Sequence, residues 1–167
     1  MLYIFDKDDN FKNIITEDTG LIDTWFKDYQ NHLIDEPFVF HVDSESELLP
    51  LIVAENQVAF KHTFNALQQD VEMLKLMRIK EIDEIYNSDG YIVRVQCEPS
   101  WLELYDHFIE DRRVENGTAQ TALNRALQGS RWTGVVSGEF GNGSTNFYWI
   151  DAVEALFKIV EEWGGVL

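Results

Sequence analysis

The stretch NSDGYIVRVQC, residues 87–97, constrains this chain more than any other segment. NSDG is a tight-turn signal, and after it Tyr91, Val93, Val95 and Cys97 alternate with Ile92, Arg94 and Gln96. Successive side chains of a strand point to opposite faces, so this pattern predicts a half-buried β-strand with the first set inward. The preceding DVEMLKLMRIKEIDEIY fits both helical and strand periods. Ile79, Ile82 and Ile85 sit three apart, while Met77, Ile79 and Ile85 share a strand face. Because NSDG leads straight into a strand, the second half of that run is expected to be its hairpin partner.

Upstream, LYIFD and FKNIIT flank the polar turn DKDDN as a hairpin would. LIDTWFKDYQ and PFVFHVD flank NHLIDE, with Pro37 placed for the first residue of a strand. ESELLPLIV reads as a short helix or a loop, and ENQVAFKHT as a strand through Val58 and Phe60. The first 99 residues are therefore expected to form a β-rich domain.

Downstream the pattern changes. Pro99 ends the strand ladder, and Ser100 followed by Glu103 matches a capping box. Trp101, Tyr105 and Phe108 then recur at helical spacing, predicting an amphipathic helix over 101–111. Thr118 is placed to cap a helix over 119–128, with Ala119, Ala122 and Ala126 for close packing and Gly129 to end it. A short strand is expected around Val135 and Val136. A last helix over 146–163 would present Ile150, Val153, Phe157 and Val160, closed by Gly164 and Gly165. The final GGVL looks like the entry to a further strand.

The order of these segments resembles a known family. A strand ending in a Cys-Glu-Pro corner is followed by LYDHF, by TAQTALNRALQG, by WTG and by DAVEALFKIVEEWGG. In that succession the chain resembles the N-terminal baseplate hub region of the phage tail-associated, or prophage endopeptidase tail, family of minor tail structural proteins. The resemblance implies an α+β fold, with an antiparallel β-barrel-like domain over 1–99 and a mainly helical α/β segment over 100–167 that continues in a longer chain. It also implies a homotrimeric ring at the virion tail tip that docks on a distal tail protein and contacts the tape-measure protein. It carries over no catalytic residue, cofactor or metal ligand, because any wall-degrading region of such proteins lies beyond these residues.

Charge agrees with that expectation. Thirty acidic against 13 basic side chains give a formal charge of -17. Such a balance disfavours binding nucleic acid through its phosphates, and disfavours anionic membranes. It suits a tail lumen through which DNA passes without sticking. The rival reading, from a different class, is an acidic DNA-mimic inhibitor. The sequence opens MLYIFDKDDN, charged by its sixth residue, and contains no apolar run of signal or membrane-span length, so synthesis in the host cytoplasm is expected.

Several sharper signals resolve into structural ones. Cys97 with Glu98 and His107 nearby suggests a thiol nucleophile, yet Cys97 closes an apolar strand row and is expected to be an inert buried thiol. Asp6, Asp8, Asn10 and Glu17 fall at positions 1, 3, 5 and 12 of a calcium loop, but Phe11 stands where that loop needs Gly, so a polar turn is expected. FGNGSTN lacks a P-loop ending, and Gly141 and Gly143 would instead serve positive φ. His32, His41, His62 and His107 show no ligand spacing, and the acidic runs DSESE and 81–84 supply chance carboxylate pairs. Trp25, Phe26, Phe38 and Phe40 are expected in the core, with some available for contacts between subunits.

Overall fold

In the computed structural model, which describes residues 1–26, 37–66, 69–88 and 90–165, the alternation of 91–97 is a strand with Val93, Val95 and Cys97 buried and Tyr91 partly so. The chain divides into two compact units, Met1–Ser100 and Trp101–Leu167. Among the described residues no helix is long and apolar enough to cross a membrane.

The first unit is one antiparallel sheet. Its strands are β1 (Leu2–Phe5), β2 (Phe11–Ile15), β3 (Leu21–Trp25), β4 (Phe38–Asp43), β5 (Gln57–Ala66), β6 (Gln69–Asn87) and β7 (Gly90–Pro99). They lie in the order β2-β1-β5-β6-β7-β4-β3. The two edge strands, β2 and β3, are consecutive in the chain, and the Leu21 amide donates to the Thr16 carbonyl at 2.8 Å between them. All seven strands feed one core, from Leu2, Ile4 and Ile15 through Phe40, Val58 and Ile79 to Val95 and Cys97. The barrel-like expectation is corrected here. No ladder joins β2 to β3 among the described residues, so the sheet is open, with two edges.

β6 is a strand over its whole length, pairing with β5 through its first half and with β7 through its second. The threefold isoleucine spacing has a physical cause. Ile79 faces Cys97, Glu81 faces Gln96 and Ile82 faces Val95, so Lys80 is an extra residue in β6, a β-bulge. Directly opposed residues share a face. The bulge therefore puts Ile82 on the face of Val95, and Ile85, opposite Ile92, on the other. Ile85 does not share the face of Met77 and Ile79, as strict alternation implied.

The β1–β2 turn is organised by one carboxylate. Asp6 Oδ1 accepts from the Asp8 and Asn10 amides, both at 2.9 Å, and Asp6 Oδ2 meets Lys12 Nζ at 2.7 Å. The Lys12 ammonium, then the Asn10 amide, hold the Asp6 carboxyl well below its ordinary value near 3.8. A lowered folded-state value stabilises the fold above the unfolded value, and that stability is lost as pH falls through the folded one. Asp6→Asn is therefore expected to melt lower than the parent at pH 7, with the gap closing as pH drops below about 4. Thermal melts at stepped pH measure this, and parallel curves would refute the assignment.

NHLIDE lies outside the described residues, and Pro37 sits one residue before β4. ESELLPLIV contributes a single 3-10 turn, Leu49–Leu51.

The second unit is not mainly helical. An antiparallel pair of strands, β8 (Phe108–Gly117) and β9 (Gly143–Asp151), stands with α1 (Ala119–Leu127) and α2 (Ala152–Trp163) around Ile109, Val114, Ala122, Phe147, Val153 and Ile159. The helix expected over 101–111 is instead a 3-10 stretch, Ser100–Asp106, followed by β8. Pairing with β9 overrides helical spacing, burying Ile109 and Val114 and leaving Tyr105 and Phe108 exposed. The capping box does not form: Ser100 Oγ has no hydrogen-bond partner, and Glu103 accepts from Arg131 Nε at 2.6 Å.

α1 follows expectation. Thr118 accepts from the Thr121 amide at 3.1 Å, three alanines are buried, and Gly129 follows the helix with φ 87°. The strand around Val135 is absent; Val135 is 87% exposed and 131–142 carries neither helix nor strand. The last helix starts at Ala152 rather than 146, because Asp151 caps it by accepting from the Glu154 amide at 2.8 Å. Ile150 consequently lies in β9, and Phe157 faces outward. Gly164 closes α2 at φ 81°, whereas Val166 and Leu167, the expected strand entry, lie outside the described residues. Gly141 and Gly143 are not at positive φ. Gly143 is required by proximity, since a Cβ there would lie 2.9 Å from the Trp163 ring.

Candidate functional site

Cys97 lies on the inward face of β7, opposite Phe38 in β4 and Ile79 in β6, with no exposed surface. Burial first, and the Glu98 charge second, push its thiol far above the ordinary range. A thiol so placed stays protonated and unreactive. Ellman's reagent should therefore leave Cys97 untouched in the native protein and titrate one thiol in denaturant. Rapid native labelling would contradict its burial.

The histidines make local contacts. His41 Nδ1 lies 2.6 Å from Asp23 Oδ1 across β3 and β4, and the His62 ring stands edge-on to Phe26 at 5.5 Å. His107 Nε2 lies 3.1 Å from the Gln128 carbonyl in the second unit. His32 lies outside the described residues. Among the described residues no group of three or more His, Cys, Asp or Glu is arranged for a metal ion. Of the calcium-loop positions, Asp6 is committed to its turn, and Glu17 opens a 3-10 helix beyond β2.

The acidic runs are largely interleaved with bases or turn amides. Arg94 donates to Asp83 at 3.1 Å, Glu98 takes Arg78 and Lys80, and Asp43 accepts the Glu45 amide at 2.8 Å. A shallow depression lined by Glu103, His107, Ser130 and Arg131 is held by its own hydrogen bonds. Arg131 grips Glu103 through two nitrogens, Trp132 Nε1 donates to the same carboxylate, and Ser130 Oγ bonds the Leu127 carbonyl at 2.8 Å.

The surface feature with no such internal explanation is aromatic. In β9, Phe147 and Ile150 are both buried while Tyr148 and Trp149 between them are both exposed, Trp149 by 62%. Strict alternation would send one of the pair inward. Trp149 breaks it with a left-handed φ of 54°, a conformation that costs an L residue about 1–2 kcal/mol. The Trp149 ring meets Phe108 edge-to-face at 5.5 Å and Tyr148 at 6.3 Å. Phe108, from β8, is itself half exposed. A strained backbone thus presents three adjacent rings to water.

Of these three rings the sequence reading singled out only Phe108, as part of the expected helix, and the aromatics it offered for contacts between subunits lie in the first unit. Phe38 and Phe40 are core as expected, Phe26 is partly buried against that core, and Trp25 is half exposed on edge strand β3. The available signal for the second unit was the triplet FYW at 147–149, since a strand with period two cannot bury three successive rings on one face.

No family model and no curated protein matches the chain. Among solved structures, the chain is similar to the E. coli c3393 protein, a component of the type VI secretion system with structural similarity to the T4 bacteriophage tail proteins gp27 and gp5. That likeness has a TM-score of 0.43 at 13% identity, and covers 83% of this chain and 42% of that one. The chain therefore spans less than half the length of that protein.

Proposed function

We propose that this chain is a structural subunit of a phage or prophage tail tip. In this reading three copies form a baseplate hub ring joining the tail tube and its distal tail protein to the tip, and the chain itself makes and breaks no bonds. The observation that carries the reading is the outward cluster of Phe108, Tyr148 and Trp149. Contiguous exposed aromatics mark contact surfaces, and each such side chain yields about 1.5–3 kcal/mol when a partner covers it fully. The two open edges of the sheet, β2 and β3, offer further sites of association.

The succession of segments between Tyr91 and Leu167 supplies the identity of the assembly, by resemblance. In the ring, part of the acidic excess lines the channel, repelling DNA as it passes, and the tape-measure protein is the inner partner. An acidic DNA mimic would need a run of carboxylates free of bases, and the acids of β6 and β7 alternate with Arg78, Lys80 and Arg94 instead.

The test is reconstitution with a phage distal tail protein, whose gene this reading expects beside that of the chain. Mass photometry should find three copies of this chain on that protein, with a threefold ring by electron microscopy. A chain that stays monomeric and free of the distal tail protein sinks the proposal.

A further inference from the structure

The outer face of the β8–β9 ribbon sets carboxylates beside the exposed rings. Asp111 is directly opposite Tyr148, and Glu110 is exposed between Phe108 and Asp111 in sequence, whereas Asp151, opposite Phe108, is engaged as the cap of α2. Arg113 approaches Asp111 at 3.6 Å. We propose that this face takes an arginine-bearing segment of a different protein, the guanidinium lying over the Trp149 indole with Glu110 and Asp111 as its counter-ions. The proposal rests on the reading of this face as a contact surface and adds the chemistry of the partner.

Three observations select that occupant. Trp149 holds a strained backbone yet remains mostly exposed, so its ring is aimed outward without being covered by the chain. A planar guanidinium matches an aromatic face and a carboxylate at once, which neither an aliphatic nor an acidic segment does. A second copy paired through a twofold axis is disfavoured on this face because it sets Glu110 and Asp111 against their own equivalents in a chain of formal charge -17, and the threefold ring proposed above then closes through other surfaces.

The experiment uses the full chain and a fluorescein-labelled nonapeptide of alternating arginine and glycine, read by anisotropy. A peptide with citrulline for arginine keeps the shape and removes the charge. Trp149→Gly removes the ring and relieves the left-handed backbone, so a loss of binding is not a loss of fold. Phe11→Ser removes an exposed ring from the first unit as a control.

The arginine peptide should bind the parent at least tenfold more tightly than the citrulline peptide. Trp149→Gly should weaken it about fivefold without lowering the melting temperature, and Phe11→Ser should leave it unchanged. Equal arginine-peptide affinity in parent and Trp149→Gly would mean attraction by net charge alone and overturns the proposal. A fall in sedimenting mass for Trp149→Gly with unchanged peptide binding would assign the face to a second copy and overturns it too. If Trp149→Gly releases the distal tail protein while arginine and citrulline bind alike, only the charge inference fails. If neither partner responds, the contact-surface reading falls with it.

Discussion

Phe38→Ala is expected to cost the first unit about 3–5 kcal/mol, the range for deleting a fully buried aromatic ring. Phe38 stacks on Phe60 at 4.4 Å with 20° between planes, lies 5.7 Å from Phe40, and meets Phe26 edge-on at 6.3 Å. It also lies opposite Cys97, so its ring joins β4 to β5 and β7 across the core. Removing it leaves a void bounded by rigid rings that cannot collapse inward, which puts the cost at the upper end. Against a typical total of about 5–15 kcal/mol, the urea midpoint should fall by a large fraction. Hydrogen exchange of β4 and β7 amides reports this unit apart from the second. A loss under about 1 kcal/mol would show that the stack is not the centre of the core.

Gly20→Val is expected to cost about 2–5 kcal/mol for a different reason, combining backbone strain with overpacking. Gly20 has φ 102°, and a Cβ there would lie 2.7 Å from Ser46 Cβ. Ser46 cannot step aside cheaply, because its hydroxyl donates to the Thr19 carbonyl at 2.6 Å and accepts the Leu48 amide at 3.2 Å. Gly20 itself accepts the Asp43 amide at 2.8 Å, so the collision falls where β3 leaves the short link from β2 and pairs with β4. Gly90→Ala separates the two causes: φ is 138° there, but open space surrounds the position. Urea melts should show Gly20→Val losing clearly more than Gly90→Ala, and equal losses would remove the steric half of the account.

How far the sequence could be read depended on whether local chemistry and tertiary pairing agreed. They agree in the β1–β2 hairpin, in the alternation of β7 that ends at Pro99, and in α1 with its Thr118 cap. They conflict over 101–111 and 146–151, where helical spacing of aromatics is outweighed by a ladder joining β8 to β9, distant in the chain. The true start of α2 was legible as Asp151 followed by Glu154, a cap signature masked by the apolar run before it. In β6 the Lys80 bulge shifts the inward register, so a spacing of three marks a strand defect rather than a helix. The inert placement of Cys97 was legible from its apolar row. The aromatic face was legible only in part: the FYW triplet requires at least one outward ring, but that Tyr148 and Trp149 both face outward depends on the φ of Trp149.

The most direct measurement of the central claim is hydrogen exchange across β8 and β9 in the isolated chain and in the proposed complex with a distal tail protein. The ladder records partners for Ile109 and Asp111, and for Tyr148 and Ile150, but none for Glu110 and Trp149. Those two amides should exchange rapidly in the free chain and become protected in the assembly, together with quenching of Trp149 fluorescence. Unchanged exchange at Glu110 and Trp149 on assembly would contradict the claim that this strained aromatic face exists to be covered by another protein.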